Sequence, residues 1–378
     1  MAATAAHALV GYSASKPERL PHSFQQMPRR TNNNSRQGAP LPSVDDFLPS
    51  TAGPGPNQRN KRMRLRVAWM YFVEEMTQNA IAQHLGIGRV TVIRLLADLR
   101  ERNEIKFRIE QGIPECIMLE RALEKAFGLH EAVVAPLSDP QADATIAVAA
   151  ATGQYTSGMV RDGMRIGVGW GRTLHESLRF MSDAPVADLS VVSLLGGITK
   201  VRRFNPSEFA WRFSSLFQAE CYLMTAPAVV DSPRTRQTLI DHCGLGDVFE
   251  NAKSLDAVLL SVGDVTSEGT PYRYAVLPEE MRLRFVEMGA VGDLLFHYFD
   301  RDGKLIKDPI QGRVMSVPVE TLKAVPQRII ASGGAQKVEA LLGALRLIAP
   351  TTLITDEHCA RALVALAGEG GPATSRTA

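Results

Sequence analysis

The 378-residue sequence predicts an α/β protein: a small N-terminal helical unit of winged helix-turn-helix type, then a doubly wound, mostly parallel α/β domain. Two observations carry this. Thr77–Arg102 (TQNAIAQHLGIGRVTVIRLLADLRER) has apolar residues at helical spacing on both sides of a Gly-containing turn. Beyond Pro114, apolar runs alternate with amphipathic stretches, as strands buried on both faces alternate with crossover helices.

Residues 1–60 are rich in Pro, Ser, Asn, Gln and Gly and poor in large apolar side chains. Such a segment cannot bury enough surface to offset the entropy of ordering, so it is expected to be disordered. A translation start at Met63 fits the cleaner sequence that follows; a basic arm touching DNA through Arg29, Arg30 and Arg36 is the other reading.

Residues 61–112 form the expected helical unit. Leu65, Ala68, Trp69 and Phe72 recur at helical spacing and predict a first helix. Thr77 is placed to cap a second, in which Ile81 and Leu85 share one side, and Gly86 lets the chain turn. Val92, Leu95, Leu96 and Leu99 line the buried side of a third helix, with Gly88 as a weak cap. Arg89, Thr91, Arg94 and Arg100 lie off that stripe. A helix offering guanidinium groups and a hydroxyl suits a DNA major groove, where Arg can donate two bonds to guanine. An ordinary helical hairpin with a solvated basic face is the plain alternative. Arg59–Arg108 carries eleven Lys and Arg against five acids, a local +6 that matches a phosphate footprint. After it, Glu104–Glu110 (EIKFRIE) alternates as a strand does and is expected to form a wing, with Lys106 and Arg108 near the DNA backbone.

The series of 114–370 begins with a helix over Cys116–Leu129, closed by Gly128, and a strand over 131–136. A helix follows over Ala142–Val160, then a strand over 165–171, a helix from Thr173 and a strand over 189–197. The next helix opens at Asn205 with Pro206 in its first turn and Glu208 at the capping-box position. A strand over 221–230 and a helix capped by Ser232 come next. Strands over 255–263, 291–299, 327–334 and 351–356 complete the set, and 371–378 is a flexible tail.

Apolar content of 45% and charged content of 22% are those of a globular protein. No apolar run reaches membrane-span length and no signal-peptide pattern opens the chain, so a cytoplasmic protein is expected. Cys116, Cys221, Cys243 and Cys359 are scattered and expected to stay reduced. No metal, nucleophile-elbow or Walker motif is present, and no cofactor is expected.

In open α/β sheets ligands bind beyond the carboxyl ends of strands. The strand ends here are Gly-rich: Gly171-Arg172-Thr173, Gly196-Gly197, Gly289–Asp293, and Gly333-Gly334 with Lys337 beyond them. Several such loops on one edge, two carrying a cation, point to an anionic small ligand. Asp264, Asp356 and Glu357 are read as sugar-hydroxyl ligands or as helix caps. His175, His242, His297 and His358 are read as hydrogen-bonded or surface residues.

These motifs, in this order, resemble the SorC family of bacterial transcriptional regulators, also called the DeoR-like sugar-binding family, across about residues 63–370. The matching stretches are the helix-turn-helix, RIGVGWGRTL (165–174), VVSLLGG (191–197), YLMTAPAVV (222–230), GAVGDLLFHYFDRDG (289–303), IIASGGAQKVEALLGAL (329–345) and LITDEHCARALVAL (353–366). The resemblance implies a repressor or activator whose C-terminal effector domain has the fold of sugar-phosphate isomerases and glucosamine-phosphate deaminases. It implies a phosphorylated sugar or polyol as effector, double-stranded operator DNA as partner, and a homodimer or homotetramer. Carried over by motif, Gly171, Arg172 and Thr173 contact the effector, and Lys337 with Gly333 and Gly334 takes its phosphate. Gly263 and Asp264 occupy the family's Gly-x-Gly turn, with Ser261 in place of its first Gly, so the sugar end of the pocket is expected to differ. On DNA, Arg89 and Arg94 are assigned to bases, with Val90 beside them, Thr91 nearer the backbone and Gln78 on phosphate. An active isomerase or deaminase that kept a DNA-binding head is the rival reading.

Overall fold

The computed structural model describes residues 56–102, 104–105, 114–139, 142–198, 204–273 and 276–369. The expected disorder of 1–55, the basic-arm residues, the wing residues 106–110 and the tail 371–378 lie outside the described residues. Met63–Ala378 forms one compact unit.

Three helices come first: α1 (Pro56–Phe72), α2 (Gln78–Leu85) and α3 (Arg89–Glu101). Next are α4 (Pro114–Phe127), β1 (Glu131–Ala135), α5 (Thr145–Met159), β2 (Arg165–Val168), α6 (Arg172–Ser177), β3 (Ser190–Ser193), α7 (Pro206–Phe217) and β4 (Glu220–Tyr222). Then follow α8 (Pro233–His242), α9 (Gly246–Ala252), β5 (Ala257–Leu260), β6 (Gly263–Asp264), α10 (Thr270–Arg273), α11 (Glu279–Glu287), β7 (Ala290–Leu294) and β8 (His297–Asp300). The last are α12 (Val319–Ala324), β9 (Gln327–Ala331), α13 (Val338–Ile348), β10 (Thr352–Asp356) and α14 (Glu357–Glu369).

The principal sheet has seven strands in the order β1-β10-β9-β5-β2-β3-β4, every neighbouring pair parallel. Side chains on a strand alternate between faces. Val191, Leu259, Ile329 and Ile354 therefore enter one core with Phe209, Phe213 and Phe217 of α7. Their neighbours Val192, Val258, Ile330 and Leu353 enter the core on the opposite face, with residues of α4, α13 and α14. On this second face β2 presents Gly167, whose side-chain space is filled by its neighbours: a Cβ would lie 2.7 Å from Leu255 and 2.9 Å from Leu194. A doubly covered sheet explains the near-continuous apolar strands.

The run 291–299 is not one strand of this sheet. It is the hairpin β7–β8, which pairs antiparallel with itself and with β6 in a separate three-stranded sheet. Leu295 and Phe296 turn it with φ of 54° and 65°. Left-handed backbone at both centres is the geometry of tight hairpin turns, usually supplied by Asn-Gly. Here burial holds it, for Phe296 stacks on Trp170 at 5.7 Å and 11°. Apolar continuity hid the turn because neither residue is a turn former.

The three-helix unit follows the expected caps. Thr77 Oγ1 accepts from Ala80 N at 3.2 Å, and Gly86 closes α2 with φ of 64°. Gly88 precedes α3 without a side-chain cap. The first helix differs in two ways. α1 starts at Pro56, inside the segment expected to be disordered, with Pro at its start where the missing N–H costs nothing. Its inward face is Arg64, Val67, Ala68 and Met70, with Tyr71 and the expected Phe72 packed against them, whereas Leu65 and Trp69 are exposed at 41% and 58%. Arg64 turns inward because its guanidinium makes a two-pronged ion pair with Glu104, beyond α3. A charged residue on the packed stripe shifted the apparent periodicity.

Asn205 caps α7 by accepting from Ser207 N, and Ser232 caps α8 by accepting from Thr235 N. Glu208 does not close a capping box; its carboxylate reaches Arg212 at 3.5 Å and His175 at 3.7 Å. All four cysteines are unpaired.

Phe213 is fully buried between Phe209 and Phe217. Phe213→Ala is expected to cost about 3–5 kcal/mol, the usual range for emptying an aromatic core site. A lowered urea midpoint at unchanged slope is the expected reading; an unmoved midpoint would mean that α7 does not hold this face.

Candidate functional site

The strands leave β2 in opposite directions. β3 and β4 extend to one side, while β5, β9 and β10 extend to the other. Crossovers diverging from adjacent strands open a crevice at their carboxyl ends. At this switch point lies a cleft of about 160 Å³, below the roughly 300–1,000 Å³ of drug-sized pockets. That volume suits a small polar metabolite.

Three strand ends build it. Beyond β2 lie Trp170, Gly171, Arg172 and Thr173; beyond β5 lie Ser261 and Val262, leading into Gly263 and Asp264 of β6; beyond β9 lie Ser332, Gly333, Gln336 and Lys337. Asp293 of β7 and the segment Thr266–Arg273 close the wall. Gly171 has φ of 137°, a conformation that side chains resist, so it turns the chain directly into α6. A Cβ on Gly333 would collide with the Asp356 carboxylate and with Val148.

Both expected cations already have carboxylate partners. Arg172 donates to Asp143 Oδ1 at 2.9 Å and also to Thr145 Oγ1. Lys337 pairs with Asp264 Oδ2 at 2.7 Å and donates to the Val262 carbonyl at 3.0 Å. It lies in the 3₁₀ turn Ala335–Lys337 ahead of α13. Burial raises the Asp264 carboxyl, but Lys337 and the bonds from Thr266 outweigh burial and hold it below its ordinary value. Asp143 is likewise held low, its burial outweighed by bonds from Thr145 and by Arg172.

Asp293 behaves differently. It is 3% exposed; Oδ2 accepts from Phe296 N at 3.0 Å, and among the described residues Oδ1 has no hydrogen-bond partner. Burial pushes its carboxyl up to about 6, against the Phe296 bond and Lys337. Its Oδ1 fills the space where Gly263 would carry a Cβ, which is why only Gly fits there. The Gly-rich corner 289–293 was visible in the sequence, but Asp293 was not singled out as a site residue. A lone Asp after Gly has no sequence signal that separates a turn residue from a ligand.

Of the expected effector residues, the cleft gathers Gly171, Arg172, Thr173, Gly263, Asp264, Gly333 and Lys337. Gly334 supports it from behind, donating its N–H to Asp356 Oδ2 at 2.6 Å. Gly196 and Gly197 are not among the lining residues. Gly196 is needed because a Cβ would sit 2.6 Å from the Ala226 carbonyl, and Gly197 borders a separate shallow groove with Asn205 and Ser207. Asp356 is fully buried and caps α14, Oδ1 accepting from His358 N and Cys359 N. His297 and His358 meet backbone carbonyls, and His175 meets Arg212. Among the described residues no cluster of His, Cys, Asp and Glu is arranged for a metal.

On α3, Arg89, Val90, Arg94 and Arg100 are exposed and Thr91 is half-buried. Val92, Leu96 and Leu99 face inward. Gln78 and Arg89 border one shallow concavity with Tyr71 and Asn79.

A polar cleft at the switch point of a doubly covered parallel sheet defines a doubly wound α/β domain with a small-ligand site. Residues 111–365 match the family described as "Putative sugar-binding domain". The erythritol catabolism regulatory protein EryD of Brucella abortus is 30% identical over 305 residues, covering 80% of this chain and 96% of that protein. The deoxyribonucleoside regulator of Bacillus subtilis is 29% identical over 311 residues, covering 82% and 99%. The crystal structure of the full-length sorbitol operon regulator SorC from Klebsiella pneumoniae superposes with a TM-score of 0.64 at 25% identity, covering 80% of this chain and 98% of that one. The chain belongs to this family of sugar-binding, SorC-type transcriptional regulators.

The raised Asp293 carboxyl carries a pH signature. Its folded value of about 6 exceeds the ordinary 3.8, so the native state binds the extra proton between those values. The stability from that proton is complete below about pH 4 and is lost as pH rises through about 6, on the order of 2–3 kcal/mol. Thermal midpoints of wild type relative to Asp293→Asn are expected to fall across that window and level off above it. A constant difference would place the ordinary carboxyl value at Asp293.

Proposed function

We propose that this regulator senses a phosphorylated sugar or polyol in the switch-point cleft and changes its hold on operator DNA in response. One observation carries the reading: Arg172 and Lys337, far apart in sequence, converge on one cleft with Asp264 and the unpartnered oxygen of Asp293. Cations suit a phosphate, and carboxylates accept hydroxyls. Because each cation is already paired, phosphate binding exchanges a carboxylate partner for a phosphate. That exchange is a differential contact between two states, which a switch requires. Erythritol, deoxyribonucleosides and sorbitol appear in the relatives' names and set the first compounds to try.

Residues 61–112 then act as the helix-turn-helix head, and 114–370 as the effector and oligomerisation domain. Arg89 and Arg94 reach base edges, Val90 offers an apolar contact to a thymine methyl, and Gln78 and Thr91 contact the backbone. One such helix reads too few base pairs to find a site in a genome, so the working form is a homodimer or homotetramer on a repeated operator. The protein works in the cytoplasm, where operator DNA lies. We read it as a sensor without catalytic activity or cofactor. An isomerase or deaminase needs a general acid–base pair, commonly a carboxylate with a His, and among the described residues the cleft lining contains carboxylates without one.

Incubation with a panel of sugar and polyol phosphates separates these readings: a sensor gives thermal stabilisation without turnover, and turnover overturns it. With the stabilising compound in hand, Lys337→Ala is expected to keep DNA affinity and lose the response. A wild-type response would move the phosphate away from Lys337. Arg94→Ala is expected to cost roughly 1–3 kcal/mol of operator binding and to relax one base preference. Equal affinity for every operator variant, in both proteins, would remove Arg94 from base readout.

A further inference from the structure

We infer that Arg179 is a positioning residue for α3, tying the end of that helix to the segment that starts in the effector cleft. α6 begins with Arg172 and Thr173 on the cleft wall and runs directly into the 3₁₀ turn Leu178–Phe180. From that turn the Arg179 guanidinium donates to the Arg100 carbonyl at 2.9 Å. Arg100 lies in the last turn of α3, where its carbonyl is also approached by the N–H of the C-cap Arg102, and Arg179 adds a side-chain donor. The neighbouring carbonyls of Asp98 and Leu99 accept from Arg102 N and Glu104 N. A cation at a helix C-terminus also meets the negative end of the helix dipole. The same guanidinium is oriented by Glu176, one turn back on α6, at 3.1 Å.

A second observation makes this segment stiff. At Gly153 of α5, a Cβ would lie 2.6 Å from the Ser177 carbonyl and 2.7 Å from Phe180 Cβ. The α6 end and the turn therefore lie directly on the α5 backbone, which only Gly allows. Ser157, one turn further along α5, accepts from Ser182 N at 2.7 Å. At the other end of α5, Arg172 bonds Asp143 and Thr145. The segment from Arg172 to Arg179 is thus clamped on α5 at both ends, with one end in the cleft and the other on α3. When a phosphate draws Arg172 from Asp143, the displacement reaches α3 through Arg179 without crossing a flexible connection.

The inference rests on the proposed roles of the cleft and of α3, and its test separates them. Hydrogen exchange is followed in the full chain, with and without millimolar inorganic phosphate at matched ionic strength, in wild type, Arg179→Ala and Arg179→Lys. In wild type, phosphate protects 171–178 and changes exchange in 96–102. In Arg179→Ala, protection of 171–178 persists, 96–102 exchanges faster and no longer responds, and Arg179→Lys recovers part of the response. Binding to duplex DNA from upstream of the gene weakens about fivefold in Arg179→Ala, within the range for residues on a coupling route, and recovers in Arg179→Lys. Exchange of 96–102 and duplex affinity that match wild type in Arg179→Ala overturn the inference, whatever phosphate does. Absence of protection at 171–178 in wild type instead refutes the cleft as the phosphate site, and the phosphate-free comparison still decides Arg179.

Discussion

Seven strands running in one direction, covered on both faces, impose the constraint from which the other features follow. Consecutive residues of β3, β5, β9 and β10 enter opposite cores, so the strands have no polar face to spare. Polar groups are driven to the strand ends, and the crossovers place their turns at one edge. Because the chain leaves β2 toward one side and returns at β5 toward the other, that edge opens between them. The cleft is a product of topology before any side chain is chosen.

What fills the cleft is a set of charges balanced in advance. Lys337 rests on Asp264, Arg172 rests on Asp143, and Asp293 is left with one unsatisfied oxygen. Lys337 and Asp264 are buried enough that a lone charge there would be costly. Arg172 and Asp143, exposed at 43% and 59%, pair where water also screens them. On the proposed function a ligand enters by exchange of partners, which ties binding to movement of the segments that carry Asp143 and Asp264. Gly263 shows how tightly this is built, since Asp293 occupies the place of its side chain.

Much of this was legible in the residues. Caps at Thr77, Asn205 and Ser232, the turn at Gly86 and the apolar strands all act locally, and local signals survive translation into structure. The misreadings share one physical cause: a tertiary contact overrode a local pattern. Arg64 faces inward because Glu104 waits there, and Trp69 is left outside. The β7–β8 turn uses Leu295 and Phe296, whose left-handed backbone is sustained by ring packing against Trp170. Gly196 resembles a ligand-binding glycine in sequence, yet it is required by the approach of the Ala226 carbonyl.

By itself the sequence determined the class of fold, the order of its elements and the Gly-rich strand ends, because periodicity and turn chemistry depend on near neighbours. It also held the family motifs that the comparisons bear out. Only the tertiary structure decided which of those strand ends meet, that each cation arrives already paired, and that Asp293 is buried with an idle oxygen. Those are relations between residues tens to hundreds of positions apart, and strand order settles them where no local pattern reaches.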